Sequence, residues 1–502
     1  MLNRAIRRAA ADHAEVAAYV APDGWAVTYR DLDRLSDEVA AGFAARGLGA
    51  GAVIALSLPS TADYIVAYLA AAKIGAVTAG LNPRFRGAER QAALDVLEPD
   101  LVIADDAHLE GVPDRLDVAR VALADHVDGV LAGLRVPGGQ VAELAEDPDR
   151  PVCICFTSGS TGAPKGAWYT GRQLAVIAEL DTGGAWGGGG DRYASTEFAH
   201  VGVMTKLPWL LATGGTTHLL DKWRAEPVLE LIDRYRMTSV SAIAPQVALM
   251  LRVPDLDRFD FSCVKAIVSG GAHAPPALVR AGRELFGAPW SIRYSSTESG
   301  GVGLGTALDA DDEEALHTVG RPRPGVEAAI RHGDGSPVQP GEVGELWLRS
   351  GAMMSGYWND PEATAEALVD GWLRTGDLAY VDDRGCYRLA GRTKEMYIRG
   401  GYNVYPLEVE AVLADHPGVA AVAVVPRPDE VMGEIGVAVV VPTDPGSPPG
   451  LEDLRSFAAV SLAAYKLPEA VRVVERLPVN ATDKLDRRAL VEIERASATP
   501  PG

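Results

Sequence analysis

Along the first four fifths of the chain, short β-branched runs alternate with Ala- and Leu-rich stretches of helical period. The apolar runs at 53–58, 101–104, 152–156, 239–243 and 264–268 are short enough for buried strands, and the segments between them are long enough for helices. Strands spaced in this way pack as parallel layers with helices on their faces. From Val343 the texture changes. Gly344-Glu345-Leu346-Trp347-Leu348-Arg349 alternates as a strand does, and turns follow at Gly351, Gly356 and Gly371. Past Gly391 a smaller mixed pattern begins, with helices expected at 406–416 and 451–464, strands at 419–425, 435–441 and 471–474, and a Pro- and Gly-rich loop at 442–450. The pattern therefore predicts two units meeting near residue 394. Residues 1–18 read as an amphipathic helix, 183–190 as a glycine-rich connection and 496–502 as a frayed tail.

Composition narrows what such a chain can do. At 502 residues it has ample apolar surface for its cores without disulfide or metal staples. A formal charge of −21 argues against nucleic acid or an anionic membrane as the main partner, since both reward a basic surface. The four cysteines form no CxxC pair, and Cys153 and Cys155 point the same way off one expected strand, so they read as buried thiols in a reducing, cytoplasmic compartment. The N-terminus lacks the continuous apolar core of a secretory signal. The most apolar stretch, 64–80, contains Lys73 and falls short of a bilayer span; a buried helix is expected there, with no stable membrane insertion.

The sharpest local signal is Thr157-Ser158-Gly159-Ser160-Thr161-Gly162-Ala163-Pro164-Lys165-Gly166, directly after a strand-like run. Glycines let backbone N–H groups turn inward, hydroxyls add donors and a lysine adds a point charge, which is what a polyphosphate needs. It is not a Walker A loop, because Lys165 is followed by Gly166 and no GK[ST] closes it. Alone, the residues leave a simple polar turn open.

Further strings follow in a fixed order: Val27-Thr28-Tyr29, Gly80-Leu81-Asn82-Pro83-Arg84, Tyr294-Ser295-Ser296-Thr297-Glu298, Gly356-Tyr357, Arg374-Thr375-Gly376-Asp377-Leu378, Gly391-Arg392-Thr393-Lys394-Glu395, Gly400-Gly401-Tyr402-Asn403, Tyr465-Lys466-Leu467-Pro468 and Asn480-Ala481-Thr482-Asp483-Lys484. With the glycine-rich loop, this series resembles the adenylate-forming superfamily of acyl-CoA synthetases, luciferases and nonribosomal adenylation domains, from about residue 5 to about 490.

The resemblance implies an α/β protein with a large N-terminal domain (1–393) of layered parallel sheets with helices plus a β-barrel-like subdomain. A small mobile α+β domain (394–502) would follow it. It implies ATP-dependent activation of an organic acid as its acyl-AMP, with release of pyrophosphate and then transfer to coenzyme A. Thr157, Ser158, Gly159, Ser160, Thr161, Gly162 and Lys165 would hold phosphates, Gly271, Ala272, Tyr294 and Ser295 would also contact ATP, and Tyr294 would stack on the adenine. Asp377 and Arg392 would meet the ribose, a diol for which a carboxylate is a natural acceptor. Lys484, Thr297, Glu298 and His200 would form the catalytic set, and Glu298 would hold Mg²⁺, a hard cation suited to carboxylate oxygen. Lys484 would bring together the acid's carboxylate and the α-phosphate, which repel each other. Lys394 would be the hinge and Gly401 would line the acceptor channel.

His200, Val201, Met204, Gly270, Ser295 and Gly301 would line the acid pocket. No general base is required of His200, because a carboxylic acid is already ionised at neutral pH. Two positions depart from the family pattern: Ser295 and Asp483 both stand where glycine is usual. Ser295 favours a small or aromatic polar acid over a long chain, and Asp483 could compete for Lys484. Trp168 after the loop is also unusual and reads as core. The acceptor is expected to be coenzyme A. A free-standing carrier protein, or an amine attacking an adenylated oxyanion such as nitrite, stays open, as does a homodimer. No carrier domain is expected within the chain, since only a short helix and tail follow Lys484.

Overall fold

The computed structural model describes residues 2–157, 164–184, 187–272, 274–480 and 484–498, the side chains of 495–498 aside. Among the described residues the strands gather into five sheets. The largest runs in the order Gly356–Tyr357, Gly166–Thr170, Pro151–Phe156, Val77–Gly80, Val53–Ser57, Leu101–Ala104 and Val118–Arg120. Its last five strands pair in parallel, as the alternating pattern predicts. A second sheet sets Ser239–Ser241, Ala266–Gly270 and Trp290–Tyr294 in parallel. In both, strand ends carry the chemistry-bearing loops, where open α/β sheets form their crevices.

A third sheet joins Ala17–Val20 to Thr216–His218 in parallel. An antiparallel sheet of Glu327–Arg331, Gly344–Arg349, Trp372–Val381 and Tyr387–Arg392 stands where the barrel-like subdomain is expected. The fifth sheet, with Val419–Asp429 on Gly433–Pro442 and Ala470–Val473 beside them, carries the helices Pro406–Leu413, Leu451–Ala458 and Arg487–Ala498. It has its own apolar core around Val409, Leu413, Val440 and Leu454.

Several boundaries differ from the sequence reading. The N-terminal helix is Leu2–Asp12, and Ala17–Val20 is a strand, because pairing with residues almost two hundred positions away outweighs local propensity. The apolar stretch 64–80 splits into the helix Ala62–Ile74 and the strand Val77–Gly80. Gly75, at φ +76°, caps the helix in the left-handed conformation. Lys73 is fully buried there, its Nζ 2.6 Å from Asp33 Oδ1 and 2.8 Å from Asp37 Oδ1. Two carboxylates thus let a lysine occupy an apolar helix. The helix expected at 451–464 ends at Ala458, and the one expected to fray from 496 runs through Ala498. Cys153 and Cys155 are buried and all four cysteines are free thiols. No described helix is long and apolar enough to cross a membrane.

Candidate active site

The strands Pro151–Phe156 and Gly166–Thr170 form a hairpin whose neck is closed by the Thr157 N–H donating to the Lys165 carbonyl at 2.9 Å. Thr157 and Lys165 flank the glycine-rich loop; Ser158, Gly159, Ser160, Thr161 and Gly162 lie outside the described residues. Lys165 Nζ stands 5.0 Å above the Tyr357 ring, and Tyr357 Oη donates to Glu298 Oε1 at 2.9 Å. Burial, then the Glu298 charge, push the Tyr357 phenol well above its ordinary range, which keeps it a donor. Trp168, expected as core, packs edge-on against Trp358 at 6.1 Å.

Glu298 follows the second sheet's central strand, Trp290–Tyr294, through a turn in which Ser296 and Ser299 exchange side chain–backbone hydrogen bonds. Tyr169 fixes this turn from the other sheet, donating to the Thr297 carbonyl and accepting from Gly300 N–H at 3.1 Å. Ser295 is half-buried within it. At the head of the turn Tyr294 Oη donates to Asp377 Oδ2 at 2.5 Å. Arg392 Nε lies 2.7 Å from the other oxygen, Asp377 Oδ1, directly across the antiparallel pair Trp372–Val381 and Tyr387–Arg392. Burial first and the Asp377 charge second hold the Tyr294 phenol well above the usual range.

Lys484 reaches this cluster from the far end of the chain. Its loop closes on itself: Asn480 N–H donates to the Lys484 carbonyl at 2.8 Å, and Lys484 N–H donates to Asn480 Oδ1 at 3.2 Å. Asp483, inside the loop, lies outside the described residues. Arg487 anchors the outgoing helix, pairing with Glu395 at 2.8 Å and with Glu410 at 2.7 Å. Lys484 Cε comes 3.9 Å from where a Cβ on Gly271 would lie. Gly271, at φ +77°, supplies both the turn and that clearance, with half-buried Ala272 beside it. Part of Lys484 stays open to solvent, yet crowding lowers its pKa: desolvation is the main cause, Arg392 adds to it, and Glu298 and Asp377 oppose it. One ammonium therefore shares its surroundings with two carboxylates and a guanidinium drawn from three other elements.

The expected acid pocket lies beyond the Glu298 turn. His200 precedes the short helix Val201–Met204, and its Nε2 is 3.3 Å from Asn82 Nδ2. Met204 is fully buried, with Tyr64 Oη 3.4 Å from its Sδ. Val201 Cγ2 is 3.9 Å from where a Cβ on Gly301 would lie, and a Cβ on Gly270 would press the Arg293 carbonyl at 2.7 Å. Lys394 is exposed just past the Asp377–Arg392 pairing, and Gly401 stands at an exposed hairpin tip between Tyr397–Arg399 and Tyr402–Val404, in open space.

The structure thus brings Lys165, Tyr294, Glu298, Asp377, Arg392 and Lys484 together and leaves Gly401 apart. Sequence reading gave no role to Asn82 or Tyr357, although both lie inside the ordered motifs and were legible as polar residues in otherwise apolar or glycine-rich strings.

Comparison with known proteins identifies the family. The family model described as AMP-binding enzyme matches residues 6–358, and that of the AMP-binding enzyme C-terminal domain matches 408–484. A feruloyl-CoA synthase of Amycolatopsis sp is 35% identical, over 92% of this chain and 93% of the relative. The amide bond synthetase of Marinactinospora thermotolerans superposes with a TM-score of 0.87 at 31% identity, covering 98% of this chain and all (100%) of that one. The o-succinylbenzoate CoA synthetase of Bacillus subtilis, solved with its acyl-adenylate intermediate, gives 0.83 at 27% identity over 97% of each chain. The resemblance read from the ordered motifs is borne out, as is the two-part α/β fold: the chain belongs to the AMP-binding enzyme family, the adenylate-forming superfamily of acyl-CoA synthetase-like enzymes.

Proposed function

We propose that the protein is an AMP-forming ligase that activates a small or aromatic organic acid as its acyl-AMP and passes the acyl group to coenzyme A. The observation that carries this reading is the Tyr294–Asp377–Arg392 cluster, with Lys484 brought in against Gly271 and within electrostatic reach of Glu298, Asp377 and Arg392. Tyr294, tied through its hydroxyl to Asp377, offers a fixed face to adenine. Each Asp377 oxygen has two lone pairs, so the carboxylate can accept from ribose hydroxyls while bonded to Tyr294 and Arg392. Thr157 and Lys165, with the loop between them, take the phosphates. Glu298 is a carboxylate already oriented by Tyr357, and a single carboxylate beside a nucleotide's phosphates is the donor set Mg²⁺ favours. Bound there, the ion would offset phosphate charge.

In the first half-reaction a carboxylate oxygen of the acid attacks the α-phosphorus in line, and the bond to the pyrophosphate oxygen breaks. Both reactants are anions, and the Lys484 ammonium between them lowers their repulsion. No covalent enzyme intermediate is required; alignment and charge suffice. The units 1–393 and 394–502 then turn about Lys394, withdrawing Lys484 and bringing the Gly401 hairpin to the site. The thiolate sulfur of coenzyme A attacks the acyl carbon, and AMP leaves with the oxygen the acid contributed. A conformational step of this kind lets one cleft run two reactions. The four free thiols fit a reducing cytoplasm.

An aromatic acid is supported by the feruloyl and o-succinylbenzoate relatives and by Ser295, whose side chain would make the pocket shallower than glycine does. A second reading keeps the adenylation and changes the acceptor to an amine, as the likeness to an amide bond synthetase favours. Pyrophosphate release across a panel of acids, with coenzyme A consumption measured in parallel, tests both. Equal amounts of the two support the ligase; pyrophosphate without coenzyme A consumption supports the second reading, and no pyrophosphate refutes both.

A further inference from the structure

Beyond Glu298 the turn continues through Gly300 and Gly301, both at positive φ. A Cβ on Gly300 would meet Ile177 Cδ1 at 2.8 Å, and one on Gly301 would meet Lys206 Cε at 3.3 Å as well as Val201 Cγ2. Ile177 lies on the helix Gly171–Thr182, and Asp181 follows it by four residues, one turn on along the same face. Lys206, just after the short helix Val201–Met204, faces Asp181 with Nζ 2.5 Å from Oδ2. Arg323 Nη2 donates to the remaining oxygen, Asp181 Oδ1, at 3.2 Å. The side chains of Lys206 and Asp181 are only 13% and 12% exposed.

Charge does not balance here. Arg293, half-buried nearby, is also within electrostatic reach of Asp181 and is held down by burial and by the Arg323 charge. Lys206 and Arg323 therefore share one carboxylate, with a third cation close by, in a place where unpaired charge is costly. Burial lowers the Lys206 pKa as well, with Asp181 opposing. An ammonium carries three donors, and Asp181 takes one of them. A hydrocarbon tail reaching this end would bury the cations further without compensation. An anionic or carbonyl-bearing tail would supply a further acceptor for the ammonium's remaining donors.

We infer that Lys206 and Arg323, held around Asp181, form a cationic subsite at the far end of the acid pocket, which selects acids whose tail carries a carboxylate or other hydrogen-bond acceptor. This rests on the adenylation reading above and deepens it by naming the substrate class. Lys206 is a specificity residue, remote from the atoms that react. A hydrogen bond to a charged partner is worth about 10- to 100-fold in discrimination.

The test pairs simple aromatic and aliphatic acids with analogues of equal length ending in a carboxylate or acetyl group. Pyrophosphate release gives the ratio of kcat/KM within each pair. The parent enzyme should favour the acceptor-tailed member by about 10- to 100-fold. Lys206→Met should collapse that ratio and Lys206→Arg should keep it. Asp181→Asn, which removes the competing anion, should raise the ratio for carboxylate tails. Should Lys206→Met fail to accumulate as folded protein, Asp181→Asn decides alone. A parent preference for hydrocarbon tails, or a ratio unmoved by these substitutions while pyrophosphate is still released, would overturn the subsite only. Pyrophosphate from no acid of either kind would overturn the adenylation reading and the subsite with it.

Discussion

Replacing Lys484 by alanine removes the cation that the last loop carries into the cleft. A unit charge about 4 Å from another, at an effective dielectric near 20, interacts by about 4 kcal/mol. That would be about a thousandfold in rate. Two features of the site reduce it: part of Lys484 is open to solvent, and the Arg392 guanidinium stays in place after the substitution. The expected loss is therefore about 10²- to 10³-fold in acyl-AMP formation, comparable with deleting one donor from an oxyanion site. Single-turnover quench experiments with enzyme in excess measure that step directly. The same variant, supplied with preformed acyl-AMP and coenzyme A, should make thioester within a few-fold of the parent, because the proposed rotation withdraws Lys484 before that step. Acyl-AMP formation at close to the parental rate would refute the assignment. An equal loss in both half-reactions would refute the alternation of roles.

Other consequences follow from the same geometry. On the proposed role the Lys484 ammonium is the working form, and its pKa is lowered, so kcat/KM for adenylation should fall as pH rises through a value below the ordinary lysine value of about 10.4. Lys484→Arg should move that alkaline limb upward, and a limb at or above the ordinary value in the parent would contradict the desolvated site. Lys394→Pro, which freezes one backbone torsion at the junction, should spare acyl-AMP formation and suppress thioester formation; equal loss of both would count against the hinge. Arg487→Met strips two carboxylates, Glu395 and Glu410, of their shared partner, and should cost about 3 kcal/mol of stability in a denaturant titration. A variant as stable as the parent would show that this anchor contributes little.

The adenylation chemistry was legible because the motifs are strings: Tyr294 to Glu298, Arg374 to Leu378 and Asn480 to Lys484 each occupy a few consecutive positions, and their order is visible in one dimension. The parallel layers were legible too, since buried strands are short apolar runs wherever they fall. What could not be read is what the fold brings together from afar. Ala17–Val20 becomes a strand only because Thr216–His218 lies beside it. Lys73 looked out of place in an apolar run until Asp33 and Asp37 closed over it. Lys206 sits in a similar run between Val201 and Leu211, and nothing local ties it to Asp181 or Arg323. The pairing of Tyr294 with Asp377 likewise joins two motifs that the sequence offers separately.

The account turns on which bond the acid makes with ATP, and an oxygen label follows that bond directly. Acid carrying ¹⁸O in both carboxylate oxygens, turned over with ATP and coenzyme A, should transfer one labelled oxygen to the phosphoryl group of AMP and none to pyrophosphate. Unlabelled AMP, or label appearing in inorganic phosphate, would mean that the carboxylate does not attack the α-phosphorus and would contradict the account.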